Sequence, residues 1–242
     1  MEAIEINDIQ DFLNFKHKFL EDNQEIWYRG QNNYDWNLIP SFFRLKDDSI
    51  TTETSLLDIF IQNSSTLIQA PSNPIDWMFI MQHYGIPTRL LDWTENPLVA
   101  LYFSVECYRD NIDGSLWLLK PRILNNKSIN IPTIPMYDDK SISEHMEKKD
   151  AVYAKQPTAI LATRNNSRLQ IQDGVFTIHM RNGKDIHVES ESYLLKIKIP
   201  ANSKEKIYQQ LKLLGINKFR LFPELVNIKD ILEQKKFLEI KD

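Results

Sequence analysis

Apolar side chains recur at mostly helical spacing from residue 8 to residue 20, where Ile9, Phe12, Leu13, Phe15, Phe19 and Leu20 follow Asn7 or Asp8 as a cap. The short run from Glu25 to Arg29 predicts a strand that Gly30 ends, placing Arg29 at its exit into a polar loop. Residues 53–69 form a second helical stretch, and Asn73-Pro74 opens a third, since Asn caps well and Pro is tolerated in the first turn. Trp77, Met81 and Tyr84 continue the third helix until Gly85 ends it as a left-handed cap and Pro87 prevents its resumption. A strand from Thr88 to Trp93 comes next, and Asn96-Pro97 repeats the cap signal for a helix reaching about Tyr108.

Ser115 to Leu119 reads as a buried strand, whereas residues 121–157 carry prolines and charges with little periodicity and read as a long irregular excursion. From Arg168 the pattern turns to strands. Leu169 and Ile171 alternate with polar positions, Val175 to His179 forms a run, and Asn182-Gly183 is a hairpin turn leading into Ile186 to Val188. Tyr193, Leu195, Ile197 and Ile199 alternate next; Ser203 then caps a helix with Ile207, Leu211 and Leu214 on one face, closed by Gly215. A last helix is expected over residues 225–239. Helices thus dominate the first half and hairpin strands the second, which predicts an α+β fold with a mixed or largely antiparallel sheet and helices packed on it.

Composition changes this picture only by exclusion. At 242 residues with 42% hydrophobic and 26% charged positions, the chain suits one large domain over residues 1–242. A net charge of −4 supplies no global field for nucleic acid or anionic membrane, so such contacts must be local. The single cysteine, Cys107, the absence of an apolar N-terminal core and the lack of any run near the roughly 20 residues of a membrane span point to a cytoplasmic protein with no membrane partner. Neither GxxxxGK[ST] nor GxGxxG nor GxSxG occurs, and the five histidines show no metal-like pairing, so no metal is expected.

Polar chemistry concentrates in two places. Gln82-His83-Tyr84-Gly85-Ile86-Pro87-Thr88-Arg89-Leu90-Leu91-Asp92-Trp93-Thr94 sets hydrogen-bonding side chains around two backbone breaks beside a helix start, an arrangement that accepts anions. Tyr28-Arg29-Gly30-Gln31 adds a planar five-donor fork beside a glycine that admits close backbone approach. Each residue also has a plainer reading: Arg89 and Asp92 as structural ion pairs, His83 as a helix-end histidine, Thr94 as part of a cap, and Arg29 as a surface arginine. Arg168, Gln170 and Gln172 share one face of the expected strand, and Glu224 is an acid in the apolar loop Leu221-Phe222-Pro223-Glu224-Leu225, where capping is the alternative to catalysis.

WYRGQ at 27–31, WxLIPSxFR at 36–44 and QHYGIPTRLLDWTxNPLVALYFS at 82–104 resemble the FRG domain. The likeness continues through DGSLWLLKP at 113–121, the Arg168, Gln172, Gly174, Phe176 and His179 pattern and the terminal LFPEL, covering roughly residues 24–232. This chain departs from that family in Glu224, usually Asp, and in Val226-Asn227, usually Asp-Gly. The order of a strand-end arginine, a Thr-bearing strand running into a helix and a β-rich half also looks like the ADP-ribosyltransferase layout. That likeness implies an ADP-ribosyltransferase-like fold and NAD as substrate. Arg29 would hold the diphosphate, with Tyr28, Gln31, His83 and Arg89 around it; Asp92 and Thr94 would line the pocket, and Gln172 or Glu224 would take the late catalytic position. It further implies an NAD-consuming transferase or glycohydrolase, a toxin or phage-defence effector with a protein or nucleic acid as acceptor. Two other readings remain open: a nuclease or phosphoryl-transfer enzyme using His83, Arg89 and Asp92, and a non-catalytic module that binds a nucleotide, another phosphate-bearing ligand or a partner.

Overall fold

The computed structural model describes residues 4–19, 24–45, 52–71, 73–140, 142, 156–163, 167–179, 192–223 and 228. The expected hairpin at Asn182-Gly183 with Ile186 to Val188, Glu224 and nearly all of the helix expected over 225–239 lie outside them.

Among the described residues the elements run α1 (Ile9–Phe19), β1 (Trp27–Gln31), a 3-10 turn (Ser41–Arg44), α2 (Glu53–Ser64), α3 (Pro74–His83), β2 (Leu90–Thr94) and α4 (Pro97–Val105). They continue with β3 (Gly114–Leu119), α5 (Pro121–Ser128), β4 (Thr158–Ile160), α6 (Ser167–Ile171), β5 (Gly174–Ile178), β6 (Leu194–Ile199), α7 (Ala201–Leu213) and α8 (Lys218–Leu221). The six strands form one open sheet in the order β4-β5-β2-β1-β3-β6, with every neighbouring pair antiparallel. The fold is therefore α+β. No helix among the described residues is long and apolar enough to cross a membrane.

Strand alternation gives the sheet two faces. On one, Tyr28, Leu116, Leu118, Ile197 and Ile199 pack under α1, α4 and α7, and Leu90, Phe176 and Ile178 pack under Ile75 and Met78 of α3. On the other, Trp27, Leu91, Trp93, Trp117 and Leu119 form a separate core with Leu124 of α5. Burial of these side chains, each worth about 1.5–3 kcal/mol, drives the assembly.

The middle of the sheet is its thinnest point. β1 pairs with β3 through five residues, but with β2 only through Tyr28 opposite Thr94. The next pairs in register, Arg29 with Trp93 and Gly30 with Asp92, do not form.

Four expectations are corrected. Gly30 does not end its strand; it lies inside β1, where an added Cβ would stand 1.8 Å from the Ala100 carbonyl oxygen and 2.7 Å from the Ser104 nitrogen. Its role is to let α4 lie against the sheet. Leu169 and Ile171 belong to a short helix rather than a strand, and the turn after it places Asp173 at φ of 47°. Ser203 is inside α7, buried and bonded to Asn7, while Pro200 occupies the cap. Residues 121–128 of the expected irregular excursion are helical, started by Pro121 in the first turn.

Candidate functional site

Three local signals build the site. Asn73 caps α3 through a 2.8 Å bond from Ile75 N–H, and Gly85, at φ of 78°, releases the chain after α3 toward β2. Asn96 caps α4 in the same way through Leu98 N–H at 3.0 Å. Thr94 ties the end of β2 to the neighbouring turn: its hydroxyl donates to the Gln172 carbonyl at 2.6 Å and accepts from Asn96 N–H at 2.9 Å.

Between the end of α3, the start of α4 and α6 lies a cleft of about 260 Å³ over the thin seam of the sheet. Its walls are aromatic, from Tyr28, Phe79, Phe103 and Phe176, with Phe79 and Phe176 tilted against each other at 4.7 Å. Its polar groups include Arg29, Gln82, His83, Asp92, Arg168 and Gln172.

Arg29 bridges the seam. Its Nη1 donates to the Asp92 backbone carbonyl at 2.6 Å, a group that faces β1 where the ladder has stopped, and lies 3.9 Å from the Asp92 carboxylate. Its Nε is buried and has no hydrogen-bond partner among the described residues. Buried donors are nearly always satisfied, so this one, with almost no accessible surface, is a cost that the fold carries at the seam. Burial pulls the guanidinium below the ordinary arginine value, with Asp92 opposing and the nearby charge of Arg44 reinforcing that shift. Asp92 keeps its side chain 59% exposed, against 21% for Arg29, so the carboxylate faces solvent and the arginine lies deeper. Among the described lining residues Asp92 is the one carboxylate.

Burial also pushes the Tyr28 phenol up to about 12, which keeps it protonated as a donor. Behind the seam, Trp93 Nε1–H donates to the Thr177 hydroxyl at 3.0 Å, and that hydroxyl lies 3.2 Å from His179 Nε2. An indole can only donate, so the Thr177 hydroxyl accepts from Trp93, and its second lone pair or its proton meets His179 Nε2 according to the imidazole tautomer. Burial first, and the charge of Arg29 second, bring His179 down to about 3, so it is neutral beneath the arginine.

The structure brings Tyr28, Arg29, His83, Asp92, Thr94 and Gln172 of the expected residues into this one cleft. Gln31 and Arg89 do not line it. Gln31 accepts from Trp117 Nε1–H at 2.8 Å and donates to the Asn37 carbonyl at 3.3 Å; Arg89 forms a buried 3.1 Å ion pair with Glu53. The cleft thus holds His83 and Asp92 without the Arg89 of the expected phosphoryl-transfer trio. Gln172 sits just past the end of α6 with its amide donated to the Leu221 carbonyl at 3.0 Å. Arg168 stacks over Phe222 at 4.7 Å. Sequence reasoning gave no separate role to Gln82, Phe79 or Phe103; all three lie on helices, and the α3–α4 juxtaposition turns them toward a cavity.

Residues 24–113 match the family model of the FRG domain. The matched span carries Tyr28, Arg29, Gln82, His83, Asp92 and Thr94, whereas Arg168, Gln172 and Phe176 complete the cleft from beyond it. No curated protein and no solved structure matches the chain.

Proposed function

We propose that this FRG-domain chain binds NAD as a substrate, with the nicotinamide ribose phosphate half in the aromatic cleft, and cleaves it in the manner of an ADP-ribosyltransferase or NAD glycohydrolase. The observation that carries the reading is the meeting of the Arg29 guanidinium and the exposed Asp92 carboxylate in one aromatic-walled cleft. Size supports half a dinucleotide: ligand pockets for drug-sized molecules span about 300–1,000 Å³, and 260 Å³ suits one ring with its ribose phosphate. The guanidinium fork of Arg29 would take phosphate oxygens, with Arg168 as a second cation in the wall.

On this reading the glycosidic C–N bond breaks, nicotinamide leaves with the bonding electron pair, and positive charge develops on the ribose. Asp92 is the group that stabilises that charge, and water or an acceptor nucleophile then closes on the anomeric carbon, releasing a proton. Gln172 cannot supply a second negative charge, because it is an amide and already holds the Leu221 carbonyl. An NAD-consuming chain of this kind would serve as an effector, a toxin or a phage-defence protein.

The test is nicotinamide release from NAD by the wild type and by Asp92→Asn. Release by the wild type, reduced at least about 100-fold in the variant, is expected from the loss of such an electrostatic group. Unchanged release in Asp92→Asn contradicts the assignment. That Asp92 is the one carboxylate among the described lining residues favours one other reading, binding without turnover, and thermal stabilisation by NAD with no release in either protein would establish it.

A further inference from the structure

Gln82, in the last turn of α3, lines the cleft with an amide whose orientation is fixed from behind. Thr88, 1% exposed, places its hydroxyl 2.6 Å from Gln82 Oε1 and receives Leu90 N–H at 3.3 Å. The rest of Thr88 is clamped: its N–H donates to the Ser41 hydroxyl, and its carbonyl accepts from Phe42 N–H. A hydroxyl has one proton, and the acceptor beside this one is the Gln82 oxygen. Turning the amide over would set its NH2 against the hydroxyl and leave a buried O–H without an acceptor. The oxygen therefore faces Thr88, and Gln82 Nε2, which makes no hydrogen bond with the described residues, remains as a donor at the cleft.

We infer that Gln82 is a specificity residue that donates Nε2–H to an exocyclic carbonyl on the ring held between the aromatic walls. The ligand class is then an aromatic ring bearing C=O, the carboxamide of nicotinamide or the oxo group of a base such as uracil. A ring presenting an amino group there, such as adenine, meets donor against donor, and the Thr88 clamp prevents the amide from turning to accept. This rests on the cleft being the nucleotide site proposed above and adds which ring it admits.

The experiment measures affinities of the full chain for nicotinamide mononucleotide, uridine monophosphate and adenosine monophosphate, for wild type, Gln82→Glu and Thr88→Val. The wild type is expected to prefer at least one carbonyl-bearing nucleotide over adenosine monophosphate by about tenfold or more, the scale of one satisfied against one frustrated hydrogen bond. Gln82→Glu, which still accepts from Thr88 but has no proton to offer, should erase or reverse that ratio, and Thr88→Val should bring it close to one by freeing the amide. Preference for nicotinamide mononucleotide assigns the carboxamide, whereas preference for uridine monophosphate assigns an oxo base and displaces NAD while upholding the role of Gln82. Binding of all three with equal affinity by the wild type, or a preference that survives in Gln82→Glu, overturns the inference alone. Failure of a folded wild type to bind any of them overturns the nucleotide site and the inference with it.

Discussion

Arg29 serves the fold and the cleft together: Nη1 closes the gap left by the broken β1–β2 ladder while the side chain lines the cleft. His179 is neutral beneath it, and that neutrality has a measurable consequence. Its folded-state pKa, about 3, lies below the ordinary histidine value of 6.5. The unfolded chain therefore takes up the proton first, so the contribution is fully present above pH 6.5 and is lost as pH falls toward 3. Between pH 6.5 and 5 the loss should be about 2 kcal/mol. Denaturant midpoints at the two pH values check this, and His179→Gln, which keeps a neutral hydrogen-bonding group beside Thr177, should flatten the slope. An unchanged slope in that variant would show that other groups titrate. The ion-pair alternative for Arg89 was legible in the sequence as one of two readings, and the buried bond to Glu53 is the form it takes. Which partner it would choose was not legible, because Glu53 is brought to it by tertiary packing.

Among the elements, local chemistry transferred best from sequence to structure. Asn73-Pro74, Gly85 and Asn96-Pro97 mark their helix ends because a cap or a left-handed residue is decided within a few positions. Leu169 and Ile171 misled because two alternating apolar residues fit a short helix as well as a strand. The deciding contacts are Leu169 against the Phe176 cluster and beside Gly174, where an added Cβ would lie 2.9 Å from its Cδ2. Gly30 shows the same limit: a turn glycine and a packing glycine look alike in one sequence. Gly30→Ala forces a Cβ onto the α4 backbone and should destabilise the protein by more than about 3 kcal/mol, with the cleft lost as well. Gly85→Ala, with φ of 78° but open space around it, should cost only about 1 kcal/mol. Urea denaturation of both variants separates a steric requirement from a backbone one, and equal effects would contradict the packing account.

At the scale of the molecule, the cleft exists because the sheet is one pair wide between β1 and β2 while α3 and α4 cover opposite sides of that seam. The chemistry of Arg29 and of the Gln82–Thr94 segment marked them in the sequence as partners in one site, but the length of a strand ladder depends on non-local pairing and left no local mark. The closing wall, with Arg168 and Gln172 on or beside a helix, was for the same reason expected as a strand. On the proposed reading, ligand affinity depends on the seam arginine. Calorimetric titration of NAD into the wild type and Arg29→Met, both shown to be folded by their melting transitions, tests this most directly. Binding by the wild type, weakened at least about tenfold in Arg29→Met as expected for a lost charge-assisted contact, is the predicted result; equal affinity of the two proteins, or no binding by the wild type, would contradict it.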